Sequence, residues 1–154
     1  MVPDLNLSRW NASACSLPTH VYVICGNSDQ EGYDSHDTIE RLKVADLSSP
    51  GAQWMLIRVP KNLARSYGCS IGLNSSEILI IGGIYWCYDH LNDVVVFNIE
   101  SEEFKQVGTL EEGCVLPHEF VQGARVSSSK VVLFQSMLDS ILKVAQGAAD
   151  QEAL

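Results

Sequence analysis

The sequence predicts an all-β fold, built of short antiparallel strands in a repeating unit of about fifty residues. Three observations carry that reading. Residues 9–27 (RWNASACSLPTHVYVICGN) lie over residues 65–83 (RSYGCSIGLNSSEILIIGG) without a gap. Each stretch opens on Arg, passes through small residues and a polar turn, and ends in an apolar strand closed by glycine. A second landmark follows each: TIERLKVADL (38–47) after the first and HLNDVVVFNI (90–99) after the second. Third, a polar turn then leads to a large aromatic, Trp54 or Phe104, at the head of a short last strand (WMLIRV or FKQVGTL).

The unit therefore reads as four strands. The first holds small residues (Ala12, Ser13, Ala14; Gly68, Cys69, Ser70), which suit a crowded innermost position. The second (HVYVIC; EILII) is a continuous apolar run, as burial on both faces requires. The third carries Leu42, Val44 and Leu47, or Val94, Val96 and Ile99. The fourth opens on the aromatic, which can fill the space between adjacent sheets. Glycines after the second strand allow positive φ or close backbone approach. A third, weaker copy spans 118–136 (HEFVQGARVSSSKVVLFQS), with KVVLF at the place of EILII. The following SILKVA reads as its third strand; a short amphipathic helix through Leu138, Ile141, Leu142 and Ala145 is the competitor. Residues 146–154 read as a flexible tail.

One four-stranded sheet cannot bury both faces, whereas sheets stacked around an axis can. Here the residues resemble a known family, the kelch repeat. Gly82-Gly83 matches its double glycine, Tyr85, Trp86 and Tyr88 its downstream aromatics, and Phe104 stands where the family usually has Trp. In the first copy the pair is Gly26-Asn27, Tyr33 is the aromatic and Trp54 the tryptophan. The resemblance implies β-propeller blades at about 9–60, 61–112 and 113–145. Propellers typically use about 4–8 blades, so three are too few for a ring. The chain is then a fragment, part of a ring completed by self-association or another chain, or an open arc.

Composition narrows the function. The chain has 154 residues, 46% hydrophobic and 19% charged, and a net charge of −9. Lys and Arg are scattered, which disfavours nucleic acid and anionic membrane and favours a protein partner with a basic patch. Five cysteines without a CxxC read as free thiols in a reducing compartment. The first ten residues have no basic run and no apolar stretch of a secretory signal, and the longest apolar stretch, ILIIGGIYW, is too short to span a bilayer. The expected location is cytoplasmic.

The connections after the second strands, NSDQEGYDSHDT (27–38) and GIYWCYDHLND (83–93), read as loops on one face of the molecule. The connection through Pro60, Lys61, Asn62 and Arg65 emerges there too. That face is expected to gather Tyr33, Asp34, His36, Asp37, Arg65, Trp86, Tyr88, Asp89, His90 and Asp93. It reads as solvated loop tips, as a protein-binding face, or, least favoured for want of ligand spacing, as a metal site. Arg9 and Arg65 read as structural arginines bonding carbonyls or an acidic loop. No G-x-S-x-G, nucleophile–base set or phosphate-binding glycine loop occurs, and no cofactor is expected. The kelch resemblance implies a non-enzymatic interaction module, a scaffold or substrate receptor. A piece of a propeller enzyme, such as a sugar isomerase or copper oxidase, or a non-functional fragment is the alternative.

Overall fold

In a computed structural model, the described residues are 2–28, 34–86, 89–110, 122–127, 130–135 and 138–143. Strands β1 (Ser13–Ser16), β2 (His20–Ile24), β3 (Thr38–Lys43) and β4 (Met55–Arg58) form one four-stranded sheet in chain order. Strands β5 (Cys69–Gly72), β6 (Glu77–Tyr85), β7 (Asp89–Asn98) and β8 (Glu103–Thr109) form a second in the same order. Strands β9 (Gln122–Ser127), β10 (Lys130–Gln135) and β11 (Leu138–Lys143) make a three-stranded sheet ordered β11-β10-β9. All pairings are antiparallel. The SILKVA stretch is thus strand rather than helix as far as Lys143. Helix is confined to two 3-10 turns, Val44–Asp46 and Lys61–Leu63, among the described residues.

The first strands of the three sheets adjoin: β1 lies beside β5, and β5 beside β9. Backbone hydrogen bonds join the first two sheets at this seam. The Gly26 N–H donates to the Arg65 carbonyl at 2.8 Å, and the Tyr67 N–H to the Asn11 carbonyl at 2.9 Å. The core divides accordingly. Tyr22, Ile24, Ile39 and Ile57 of the first sheet pack against Ile78, Ile80, Val95 and Phe97 of the second. Phe104 stacks on Phe97 with centroids 4.6 Å apart and packs against the same cluster. The other face of the second sheet holds Leu79, Ile81, Val94, Cys69 and Ile71. The continuous apolar run of β6 follows from this: both of its faces are covered.

The repeat is real in the backbone but is not gapless. Trp10 bridges Asn27, and Ser66 bridges Ile84. Asn11 and Tyr67 both take left-handed φ, 53° and 56°. Cys25 and Gly82 share φ of 50° and 54°, and Gly26 and Gly83 share 91° and 109°. The first copy's equivalent of Gly82-Gly83 is therefore Cys25-Gly26, not Gly26-Asn27. The reason is the turn between the first two strands: residues 17–19 in the first sheet, but 73–76 in the second, where Asn74 Oδ1 accepts from the Ser76 N–H. One added residue shifts everything after it. The glycine is required at this place for two reasons. A Cβ on Gly83 would lie 2.6 Å from the Ser66 carbonyl oxygen, and one on Gly26 would lie 2.7 Å from that of Trp10.

Two other expectations are corrected. Val44 and Leu47 are not on a strand, because β3 ends at Lys43, where the chain turns to bond the Thr19 carbonyl through the Val44 N–H. Residues 83–85 and 89–93 are strand rather than loop. The ladder is interrupted by a bulge between Ile81 and Gly83, then resumes with Gly83 opposite Leu91, Ile84 opposite His90 and Tyr85 opposite Asp89. The two positive-φ glycines supply the bend that lets β6 and β7 continue as a hairpin.

Candidate functional site

At the end of the sheets where this hairpin projects, three connections enclose an open pocket of about 440 Å³. Asp34, Ser35, His36 and Asp37 come from the connection between β2 and β3. Lys61 and Ala64 come from the one between β4 and β5, and Tyr85 and Trp86 from the tip of the β6–β7 hairpin. Trp86 is 59% exposed, high for the largest apolar side chain. The Asp37 carboxylate accepts from Arg58 Nη1 at 2.9 Å, but Arg58 is 81% exposed, so the pair holds little. His36 Nε2 lies 3.0 Å from the Ser8 carbonyl oxygen. A carbonyl can only accept, so this nitrogen carries the proton.

The expected face is thus assembled in part. Asp34, His36, Asp37 and Trp86 meet around one pocket with Lys61. Asp89 and His90 are exposed on the first two residues of β7, opposite Tyr85 and Ile84, and do not line it. Tyr33 and Tyr88 lie outside the described residues, as do Cys87, Cys114, His118 and the tail 146–154.

Arg65 and Asp93 belong to the interior instead. Arg65 Nη1 and Nη2 meet Asp93 Oδ1 and Oδ2 at 2.8 and 2.9 Å, Nη1 also donates to the Gly82 carbonyl, and Nε to that of Leu63. The guanidinium pins β6 at its bulge, the middle of β7 and the connection into β5 at one point. Arg9 does the same in the first sheet: Nη1 donates to the carbonyls of Cys25 and Thr38, Nη2 to Thr38 Oγ1 and Nε to Glu40 Oε1. Both arginines bond carbonyls and an acid of their own sheet. In both, a planar fork-like cation donates to carbonyls around the end of the second strand or its bulge.

Glu40 was not singled out by sequence reasoning, and it is fully buried with Arg9. It accepts from the backbone N–H groups of Asn6 and Leu7, from Asn6 Nδ2 and from Arg9. Burial by itself pushes its carboxyl up, but these hydrogen bonds and the Arg9 charge outweigh it and hold the group below its ordinary value. β3 reads TIERLK, where Glu40 is one of three charged residues, so local pattern gave no signal for it.

Among the described residues, the thiols offer no nucleophile. Burial pushes Cys69 up to about 12 and Cys15 up to about 11, the latter partly offset by a hydrogen bond with Ser70. Cys25 is raised as well, chiefly by burial. Among the described residues, no group of three or more His, Cys, Asp or Glu is placed to hold a metal ion, and no helix is long and apolar enough to cross a membrane. No family model and no curated protein matches the chain.

Proposed function

We propose that this chain is a stretch of a kelch-type β-propeller, without enzymatic activity, that binds another protein through the end bearing the Asp34–Trp86 pocket. The supporting architecture is the repeated meander with its innermost strands β1, β5 and β9 side by side. The observation that carries the function is the pocket itself. Three separate connections converge on it, with an exposed indole at one wall and carboxylates at another. Large aromatics at the centre of a polar rim are where interface energy concentrates, and connections on a rigid scaffold are the usual carriers of recognition. The net charge of −9 favours a basic partner segment. A cytoplasmic location is part of the same reading.

The test is selection of a random-peptide phage library against the full chain. Selected peptides are expected to be rich in Lys and Arg, and to bind the Trp86→Ala chain about tenfold more weakly. Asp34→Asn should weaken them by a smaller factor. Peptides indifferent to both substitutions would place recognition elsewhere and overturn the proposal.

A further inference from the structure

The chain's own residues 3–9 lie against the outer face of the first sheet, meeting it at Glu40. Through the strand registers, Val21, Val23, Glu40 and Leu42 of this face match Ile78, Ile80, Val95 and Phe97 of the second sheet. In the second sheet those four residues pack against the first sheet. In the first sheet their counterparts face an extended segment, and Glu40 stands where the second sheet has Val95. Along that segment Pro3, Leu5, Leu7 and Arg9 are half-buried, while Val2, Asp4, Asn6, Ser8 and Trp10 are exposed. That is the period of two of an extended strand lying on a surface.

The first sheet and its connections hold this segment both by its backbone and by its Asn6 and Arg9 side chains. Glu40 accepts from the N–H groups of Asn6 and Leu7. Trp54 Nε1 donates to the Pro3 carbonyl at 3.0 Å, and His36 Nε2 to that of Ser8. Asn6 Nδ2 spans Glu40 and the Trp54 carbonyl. Side chains of a sheet reading the backbone of an extended segment, with one buried acid reading its arginine, form a peptide groove. A face shaped to take a neighbouring sheet would carry an apolar residue at Glu40, as the second sheet does.

We propose that the outer face of the first sheet is a binding groove for an extended segment bearing two apolar residues and an arginine at alternating positions (Leu-x-Leu-x-Arg). Its own residues 3–9 occupy it in cis. This groove adjoins the Asp34–Trp86 pocket at His36 but does not rest on the function proposed for that pocket. Occupancy in cis sets an effective concentration on the order of millimolar, so a segment in trans competes only when the cis segment is weakened.

The test uses a fluorescent peptide of residues 2–10, VPDLNLSRW, and the full-length chain. Fluorescence anisotropy should show saturable binding to the Arg9→Ala chain and about tenfold weaker binding to the unaltered chain. A peptide with citrulline for arginine should lose about tenfold on the Arg9→Ala chain, because the buried Glu40 then lacks its cation. Should Arg9→Ala not fold, a Leu5→Asp, Leu7→Asp chain expels the segment while leaving Arg9 and Glu40 in place. Saturable binding of the same peptide to that chain, abolished by Glu40→Ala, would support the groove. Absence of peptide binding to a folded chain with a weakened segment would overturn the proposal, as would equal binding of the arginine and citrulline peptides.

Discussion

Thr38 stands in the first sheet where Asp93 stands in the second. Each is the third-strand residue beside the repeat's arginine: Arg9 Nη2 donates to Thr38 Oγ1 at 2.7 Å, and Arg65 Nη2 to Asp93 Oδ2 at 2.9 Å. The second sheet meets its arginine with a carboxylate at this place. The first meets it with a hydroxyl and puts its carboxylate two residues further on, at Glu40, where it also holds residues 6 and 7.

Removing the acid from the second sheet should be costly. Arg65 is almost wholly buried, and Asp93→Ala leaves its charge without a counterion. We expect a loss of about 3–5 kcal/mol, the usual range for a buried pair broken on one side. Urea denaturation would measure it. Arg58→Ala, which breaks the exposed pair with Asp37, should leave the midpoint nearly unchanged.

Glu40 makes stability depend on acid. Its folded pKa lies below the ordinary value, so its contribution is fully present above the unfolded carboxyl's pKa, about 4.3. That contribution is lost as pH falls through the lower folded value. Thermal melts should show the unaltered chain losing stability more steeply below about pH 4.3 than Glu40→Gln does. Parallel pH profiles would contradict the assignment.

The glycines separate strain from crowding. Gly51 has φ of 84° and open space around its Cβ position. Gly51→Ala should therefore show only the left-handed backbone cost, about 1–2 kcal/mol. Gly83 has φ of 109° and a Cβ position 2.6 Å from the Ser66 carbonyl oxygen and 3.0 Å from the Gly68 nitrogen. Gly83→Ala must move backbone as well, and its denaturation midpoint should fall clearly further.

Burial should make the thiols unreactive. With Cys15 and Cys69 pushed up to about 11 and about 12, little thiolate exists near neutral pH. Alkylation followed by peptide mass mapping should label Cys15, Cys25 and Cys69 in the folded chain far more slowly than in urea.

What was legible in the sequence was what local pattern controls. The apolar runs of β2, β6 and β10, the Val-rich β7 and the arginine heading each of the first two repeats are visible because burial and periodicity write them directly. The one-residue shift between the copies was hidden, because an added turn residue leaves the apolar pattern of β6 unchanged. The β6–β7 hairpin was misread as a loop, since Gly82-Gly83 looks like a turn when it is a bulge within a continuing ladder. Asp93 was placed on the exposed face for the same reason. The covering segment was missed because residues 3–8 lack a repeat partner and are held by long-range hydrogen bonds to Glu40 and Trp54, which no local pattern reveals.

The first two sheets meet at their first strands, β1 and β5. Amide hydrogen exchange at Gly26 and Tyr67 tests this most directly, because their N–H groups cross the seam to Arg65 and Asn11. Protection at both is expected to approach that of Ile80 in the middle of β6. Exchange at Gly26 and Tyr67 as fast as at Gly51, in its exposed turn, would contradict it.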